Sequence, residues 1–186
     1  MRDFKFHVDT AILFGEDQAR AFAEEVKNLG RRALIVFGGG SVKRNGIYDT
    51  ITSALKEEGV ECVDHGGIEP NPRIESVVSG VEKVKAENID VIVPIGGGST
   101  IDAAKLIAAA SVTGGDPWDI VIKKTKVTGA LPLATVLSLS ATGSEMDTSS
   151  VITNPETKEK LGWASRHVLP KVSLLNPAYT KTVSPY

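Results

Sequence analysis

The chain has 186 residues, of which 41% are hydrophobic and 24% are charged, enough for one globular domain with a substantial core. Its formal net charge of −2 gives no reason to expect binding to nucleic acid or to an anionic membrane. Cys62 is the only cysteine, which excludes an internal disulfide and a cysteine-based zinc site. The first residues lack the apolar core of a signal peptide, and no run reaches transmembrane length. We therefore expect a cytoplasmic protein.

The first third of the chain alternates between strand and helix patterns. Phe4, Phe6 and Val8 alternate with polar residues, which predicts a short strand at a sheet edge or a subunit contact. The elements predicted after it are a strand over 12–14, a helix over 19–29 ended by Gly30, a strand over 33–37, a helix over 47–55 ended by Gly59, and a strand over 60–63. The strand over 33–37 leads directly into a glycine turn at 38–41.

The alternation continues through the middle of the chain. A loop with two prolines at 66–72 precedes an amphipathic helix over 74–84. An apolar run over 89–95 predicts a strand buried on both faces, and an apolar helix over 101–110 is expected to be buried as well. This β-α-β-α order predicts an α/β fold with a parallel sheet and right-handed crossovers.

The pattern loosens after the turn at 114–117. A strand is predicted over 131–137, and two short strands are predicted over 149–153 and 172–175. Between them, residues 138–150 are rich in hydroxyl side chains. No helical domain follows within the 186 residues.

The stretch from 91 to 102 is the strongest candidate for a ligand site. Gly96, Gly97 and Gly98 follow the buried strand and allow a sharp turn close to a bound group. Ser99 is predicted to cap the next helix, with Asp102 three residues later as in a capping box. The free N–H groups and positive dipole of such a helix end suit a phosphate. The alternative is a tight strand-to-helix turn without a ligand.

Two glycine turns together indicate an extended ligand. The turns at 38–41 and 96–99 fit neither the G-x-G-x-x-G nor the P-loop pattern. In a parallel sheet, however, both would lie where ligands bind, at the carboxyl ends of strands. They could serve the adenosine and the pyrophosphate of one dinucleotide. The hydroxyls of 138–145 could bind a ribose or a carboxamide, or could belong to a polar surface loop.

Other polar residues carry weaker signals. Lys160 lies in a charge run that is usually solvated. His7, His65 and His167 are too scattered to indicate a metal site or a catalytic triad.

The glycine turn at 96–99 with Asp102, and the sequence Ala-Thr-Gly-Ser-Glu at 141–145, resemble the iron-containing alcohol dehydrogenases. The resemblance is strongest to the branch of butanol dehydrogenases and NADPH-dependent aldehyde reductases. Further matching segments lie at 12–15, 38–43, 66–72, 116–118 and 177–180. The resemblance implies that residues 1–186 form a Rossmann-like dinucleotide-binding domain, the N-terminal domain of the fold shared with dehydroquinate synthase.

The resemblance also implies which residues contact the nicotinamide cofactor. The implied pyrophosphate contacts are Gly96, Gly97, Gly98, Ser99 and Asp102. Those lining the nicotinamide and its ribose are Ser138, Leu139 and Thr142, and further contacts are Asn71, Lys160 and Tyr179.

Cofactor preference is predicted from the first glycine turn. Gly38 stands where relatives that prefer NAD carry an aspartate, which binds the ribose 2′-hydroxyl and would repel a 2′-phosphate. Gly38, Gly39 and Ser41, with Lys43 nearby, leave room and donors for that phosphate. We therefore expect NADP(H) to be favoured over NAD(H). The alternative is a lost contact without a gained preference.

The family's metal ligands, an aspartate and three histidines, belong to a helical domain that would follow this chain. The resemblance therefore implies Fe²⁺ or Zn²⁺ only with that domain, and no catalytic or metal-ligating residue here. It predicts a chain that binds the cofactor without turnover, a homodimer, and an alcohol or aldehyde substrate for the whole enzyme. A non-catalytic nucleotide-binding module and a glycerol dehydrogenase-like enzyme are the alternatives.

Overall fold

A computed structural model describes residues 8–181 and shows a six-stranded parallel sheet with helices on both faces. Phe4 and Phe6, which carry the predicted first strand, lie outside these residues, and Val8 is in neither a helix nor a strand. The predicted α/β fold with a parallel sheet is confirmed.

The strands of the sheet follow the order β1-β8-β5-β4-β2-β3. Their bounds are β1 Ala11–Phe14, β2 Arg32–Phe37, β3 Glu61–His65, β4 Val91–Gly96, β5 Ala134–Leu137 and β8 Val172–Leu175. A separate antiparallel hairpin consists of β6 Ser149–Asn154 and β7 Glu159–Ala164. The helices are α1 Ala19–Leu29, α2 Ser41–Arg44, α3 Ile47–Glu57, α4 Ile74–Ala86, α5 Gly98–Thr113 and α6 Pro117–Val121.

Strands β2, β4, β5 and β8 are buried on both faces of the sheet, as continuous apolar strands predict. Helices α1 and α3 cover one face, and α4 and α5 cover the other. All six residues of β4 are buried because the strand lies in the interior of the sheet. Helix α5 is buried from Thr100 to Ala110 apart from the half-buried Asp102, which confirms the prediction from its apolar sequence.

The predicted cap of α5 is wrong. The helix begins at Gly98 with Gly97 as its N-cap, and no side chain caps it. The extended backbone of Gly97 (ψ −169°) turns the chain into the helix two residues before Ser99 would have capped it. Asp102 consequently lies in the second turn, where it cannot reach the first N–H groups.

Two strand predictions also differ from the structure. The predicted strand over 131–137 is shorter, since β5 begins at Ala134 and Leu133 makes only an isolated bridge to Ile92. Strand β7 was missed because its first residues form the charge run around Lys160. A hairpin strand with only one buried residue, Trp163, carries little apolar periodicity.

His65, at the end of β3, is expected to make the stability of the fold depend on pH. The ring of His65 is buried, and its Nε2 donates to the carbonyl of Ser76 at 2.9 Å, so the neutral ring fits the site. Burial is the main cause that lowers the pKa of His65 from its usual value of 6.5. Below pH 6.5 the unfolded ring therefore binds a proton that the folded ring does not, and stability falls as the pH drops toward the folded pKa.

We expect His65 to reduce the free energy of unfolding as the pH falls from 7.5 to 5. Urea unfolding of the wild type and of His65→Gln at both pH values measures this loss as the difference in their pH dependence. His167→Gln, at an exposed ring, is the matched control. Identical pH dependence in the wild type and in His65→Gln would contradict the assignment.

Candidate functional site

The register of the sheet brings four segments to one edge. Phe37 pairs with Ile95, and Gly96 pairs with Leu137, so the turns that follow β2, β4 and β5 begin side by side. The N–H of Ser138 donates to the carbonyl of Gly96 at 3.0 Å, and the N–H of Gly67 donates to that of Gly38 at 3.2 Å. The two glycine turns, the 66–72 loop and the hydroxyl-rich loop therefore meet at the carboxyl edge of the sheet.

The start of α5 packs too tightly for any residue larger than glycine at two positions. A Cβ on Gly98 would lie 2.5 Å from Oγ1 of Thr142, and one on Gly96 would lie 2.5 Å from Oγ1 of Thr100. This close packing leaves the N–H groups of Gly98 and Ser99 at the helix end, where a helix offers them no internal acceptor. The arrangement suits an anion at this point.

A cavity of about 180 Å³ lies in front of this helix end. It brings together six of the residues predicted from the resemblance: Asn71, Gly98, Ser99, Asp102, Thr142 and Lys160, with Pro72 and Val151 completing the lining. Nζ of Lys160 donates to Oδ1 of Asn71 at 2.6 Å, and the N–H of Asn71 donates to Oγ of Ser99 at 3.3 Å. Lys160 thus brings a positive charge over the helix end from the hairpin.

Asp102 is held by the protein through both carboxylate oxygens. Oδ1 accepts from Oγ of Ser144 at 2.7 Å, and Oδ2 accepts from the N–H of Val151 at 2.9 Å. Burial raises the pKa of Asp102, although both of these hydrogen bonds and the charge of Lys105 favour the ionised form. The carboxylate therefore connects α5 to the hydroxyl-rich loop and to the hairpin.

Lys105 is a residue that sequence reasoning missed. It is fully buried, and its Nζ donates to Oγ of Ser144 at 2.9 Å, Oδ1 of Asp147 at 2.6 Å and the carbonyl of Ser149 at 2.8 Å. Burial lowers the pKa of Lys105, and Asp147 opposes that shift. The sequence feature that could have indicated its role is a single lysine within an apolar helix, three residues after Asp102.

The remaining predicted residues lie around the same edge. Leu139 is exposed, and its Cβ lies 3.6 Å from where a Cβ on Gly97 would be. Around the first turn, Gly39 has open space, whereas a Cβ on Gly38 would lie 3.2 Å from the carbonyl of Ile68. Tyr179 lies in the 3₁₀ turn Pro177–Thr180 that follows β8 at this edge, where it packs against the core on the α1 and α3 face and does not line the cavity.

Lys43, expected to be a donor beside the first turn, is already engaged. Its Nζ lies 2.9 Å from Oδ2 of Asp64 and over the rings of Phe37 and Tyr48, at 4.5 and 4.2 Å from their centroids. Oη of Tyr48 donates to the other oxygen of Asp64 at 2.6 Å. This cluster fixes the ammonium group beside the turn.

A second cavity, of about 230 Å³, opens at the same edge beyond β5 and β8. Its lining is mostly apolar and consists of Phe14, Leu137, Ser140, Leu175, Asn176, Pro177 and Thr180. It adjoins the tip of the hydroxyl-rich loop through Ser140.

Residues 8–181 contain no group of three or more His, Cys, Asp or Glu side chains that could hold a metal ion. His65 is buried between β3 and α4, whereas His167 is exposed in a 3₁₀ turn. The described part of the chain therefore does not fit a catalytic metal.

In the same part of the chain, the longest helices fall short of the length and hydropathy needed to span a bilayer.

Comparisons with known proteins identify a family of similar proteins. The family model for iron-containing alcohol dehydrogenase matches residues 9–177. NADH-dependent butanol dehydrogenase A of Clostridium acetobutylicum is 49% identical over 183 residues, which cover 98% of this chain and 47% of that protein. The NADPH-dependent aldehyde reductase YqhD of Escherichia coli is 39% identical over 188 residues, covering 100% and 48%.

The solved structures give the same result. The crystal structure of NADH-dependent butanol dehydrogenase A from Thermotoga maritima matches with a TM-score of 0.94 and 43% identity, over 99% of this chain and 46% of that one. The chain thus spans about half the length of the relatives that it matches. By its sequence and its fold, the chain belongs to the iron-containing alcohol dehydrogenase family.

Proposed function

We propose that residues 1–186 form the nucleotide-binding domain of an NAD(P)H-dependent alcohol dehydrogenase or aldehyde reductase. The observation that carries the proposal is the meeting of two glycine turns and a hydroxyl-rich loop at one sheet edge, around a helix end with unused N–H groups. A dinucleotide is long enough to contact all three, and the dinucleotide-binding relatives share this fold.

Each part of the chain has a distinct task in this proposal. The N–H groups of Gly98 and Ser99 and the ammonium of Lys160 bind the pyrophosphate. Residues 38–41 hold the adenosine end, and Ser138, Leu139 and Thr142 orient the nicotinamide and its ribose. The dinucleotide, when bound, supplies or accepts the hydride.

We propose primary alcohols and aldehydes as substrates of the whole enzyme, with a metal bound by residues outside 8–181. The support is the absence of a fitting donor set in the described part of the chain, together with the coverage of about half of each relative. The apolar cavity beside Ser140 lies where it could receive the substrate's carbon chain. We also propose a homodimer, because the edge strand β1 leaves Phe14 67% exposed, and a cytoplasmic location, from sequence alone.

Gly98→Ala tests the cofactor site directly. The added Cβ would displace Thr142 and crowd the helix end, so we expect the affinity for NADPH and NADH to fall about tenfold or more. Fluorescence titration of both nucleotides measures the dissociation constants. Gly162→Ala is the matched control, because its Cβ would meet only Val151, at 4.0 Å.

Two results would count against the proposal. Equal affinities in Gly98→Ala and the wild type would exclude the helix end as the phosphate site. Equal affinity of the wild type for NADPH and for 2′-phospho-ADP-ribose, which lacks the nicotinamide, would favour a non-catalytic nucleotide-binding module.

For cofactor preference, we propose NADP(H) over NAD(H). The open space at Gly39 and the nearby ammonium of Lys43 support this choice, although Asp64 pairs with that ammonium. The relatives are named for different cofactors: the butanol dehydrogenases are called NADH-dependent, and the aldehyde reductase is called NADPH-dependent.

Lys43→Met should lower the affinity for NADPH by up to about fivefold and leave NADH binding unchanged, because an exposed charge contributes at most about 1 kcal/mol. Asp64→Asn provides the converse test, since it releases Lys43 and should strengthen NADPH binding. Titration of both nucleotides against both variants gives the ratio of affinities. The same ratio in Lys43→Met as in the wild type would remove the basis for the preference.

A further inference from the structure

The most unusual polar residue in the fold is the lysine inside α5. Lys105 is fully buried in a helix whose other residues from Thr100 to Ala110 are apolar, apart from Asp102 and Thr100 itself. A buried charge is costly unless it is paired and hydrogen-bonded. Each of the three N–H donors of Lys105 has an acceptor, so its ammonium group is completely satisfied.

Two of the acceptors, Ser144 and Asp147, belong to the second half of one loop, and the third, Ser149, begins β6 directly after it. Oγ of Ser144 accepts from Lys105 and donates to Asp102, so the two helix residues and the loop form one continuous network. Asp102 and Lys105 are three residues apart and lie on the same face of the helix. The loop is therefore attached to α5 at two successive turns.

The first half of the same loop has much less support. Residues 139–143 are exposed, and the segment is held at its start by the hydrogen bond from Ser138 to Gly96. At its far end, Thr142 contacts Gly98 of the helix and accepts a hydrogen bond from the N–H of Ser144 at 3.3 Å. The position of the exposed tip thus depends on where Ser144 is held.

We propose that Lys105 is a positioning residue for the nicotinamide end of the site: by holding residues 144–149 against α5, it sets residues 138–143 at the helix end. The proposal rests on the proposed function, since it assigns that tip to the nicotinamide. The proposal gives α5 two separate tasks. The first turn of α5 binds phosphate, and Lys105, further along the helix, fixes the loop that completes the site.

The charges around Lys105 explain why a neutral side chain of similar length cannot replace it. Asp147 accepts a hydrogen bond from its ammonium group, and the carboxylates of Asp147, Asp102 and Glu145 all favour the charged ammonium electrostatically. Glu145 is only 7% exposed, and its Oε2 has no hydrogen-bond partner among the described residues. Without the ammonium, the three carboxylates repel one another and the loop moves outward.

Two ligands separate the positioning role from phosphate binding. We expect Lys105→Met to weaken binding of NADPH about tenfold or more and to change binding of 2′-phospho-ADP-ribose by less than about twofold. Calorimetric titration of the 186-residue chain with each ligand gives these ratios. The control is Lys124→Met, at an exposed lysine paired with Asp119, which should change neither affinity.

A second variant protects the test against a folding defect. Lys105→Met combined with Asp147→Asn removes one of the unpaired carboxylates and should show the same selective loss, with the far-ultraviolet circular dichroism of the wild type. In both variants, amide hydrogen exchange should increase in residues 142–151 and stay unchanged in β2 and β4.

The outcomes distinguish this inference from the proposed function. Suppose that the wild type binds NADPH more tightly than 2′-phospho-ADP-ribose. A folded Lys105→Met variant that loses the same affinity for both ligands, or for neither, would then overturn the positioning role alone. A wild-type chain that binds NADPH no more tightly than 2′-phospho-ADP-ribose would instead overturn the proposed function, and this inference with it.

Discussion

The register between β2, β4 and β5 is the constraint on which the candidate site depends. Because Phe37 pairs with Ile95 and Gly96 with Leu137, three strands end at nearly the same height. Their loops must then share the space above the sheet, and the contacts of Gly96 and Gly98 with threonine side chains show how little space there is. A shift of one residue in any of these strands would move a strand's side chains to the opposite face and separate the loops.

A buried polar network joins the elements that the sheet brings together. Asp102 and Lys105 of α5, Ser144 and Asp147 of the loop, and the hairpin backbone at 149–151 form a continuous set of hydrogen bonds. An apolar core of the same volume could be as stable, but it would not fix the loop in one place. The network fixes the position of the loop at the site, and the apolar strands beneath it provide most of the stability of the fold.

Much of the fold could be predicted from the sequence because its signals are local. The apolar periodicity of α1 and α4 and the continuous apolar run of β4 each correspond to an observed element. The capping of α5 was predicted wrongly, because the conformation of Gly97 decides where the helix starts and glycine permits several conformations. Strand β7 was missed because Trp163 is its only buried residue, so the strand has little apolar periodicity.

Some residues of the candidate site could likewise be predicted from the sequence, and others could not. The glycines and hydroxyls stand out as motifs, and the structure brings most of them together, whereas Tyr179 packs against the α1 and α3 core and does not line the cavity. Lys105 could not be assigned from the sequence because its partners are 39 to 44 residues away. Only the three-dimensional arrangement shows that an isolated lysine in an apolar helix connects two parts of one site.

A map of amide chemical-shift changes in the ¹⁵N-labelled chain on titration with NADPH tests whether the cofactor binds at the carboxyl edge of the sheet. Binding there should give the largest changes in residues 38–41, 96–102 and 138–142. Changes confined to another region, such as the basic cavity lined by Lys123, Lys126 and Arg166, would contradict it, as would a spectrum that NADPH leaves unchanged.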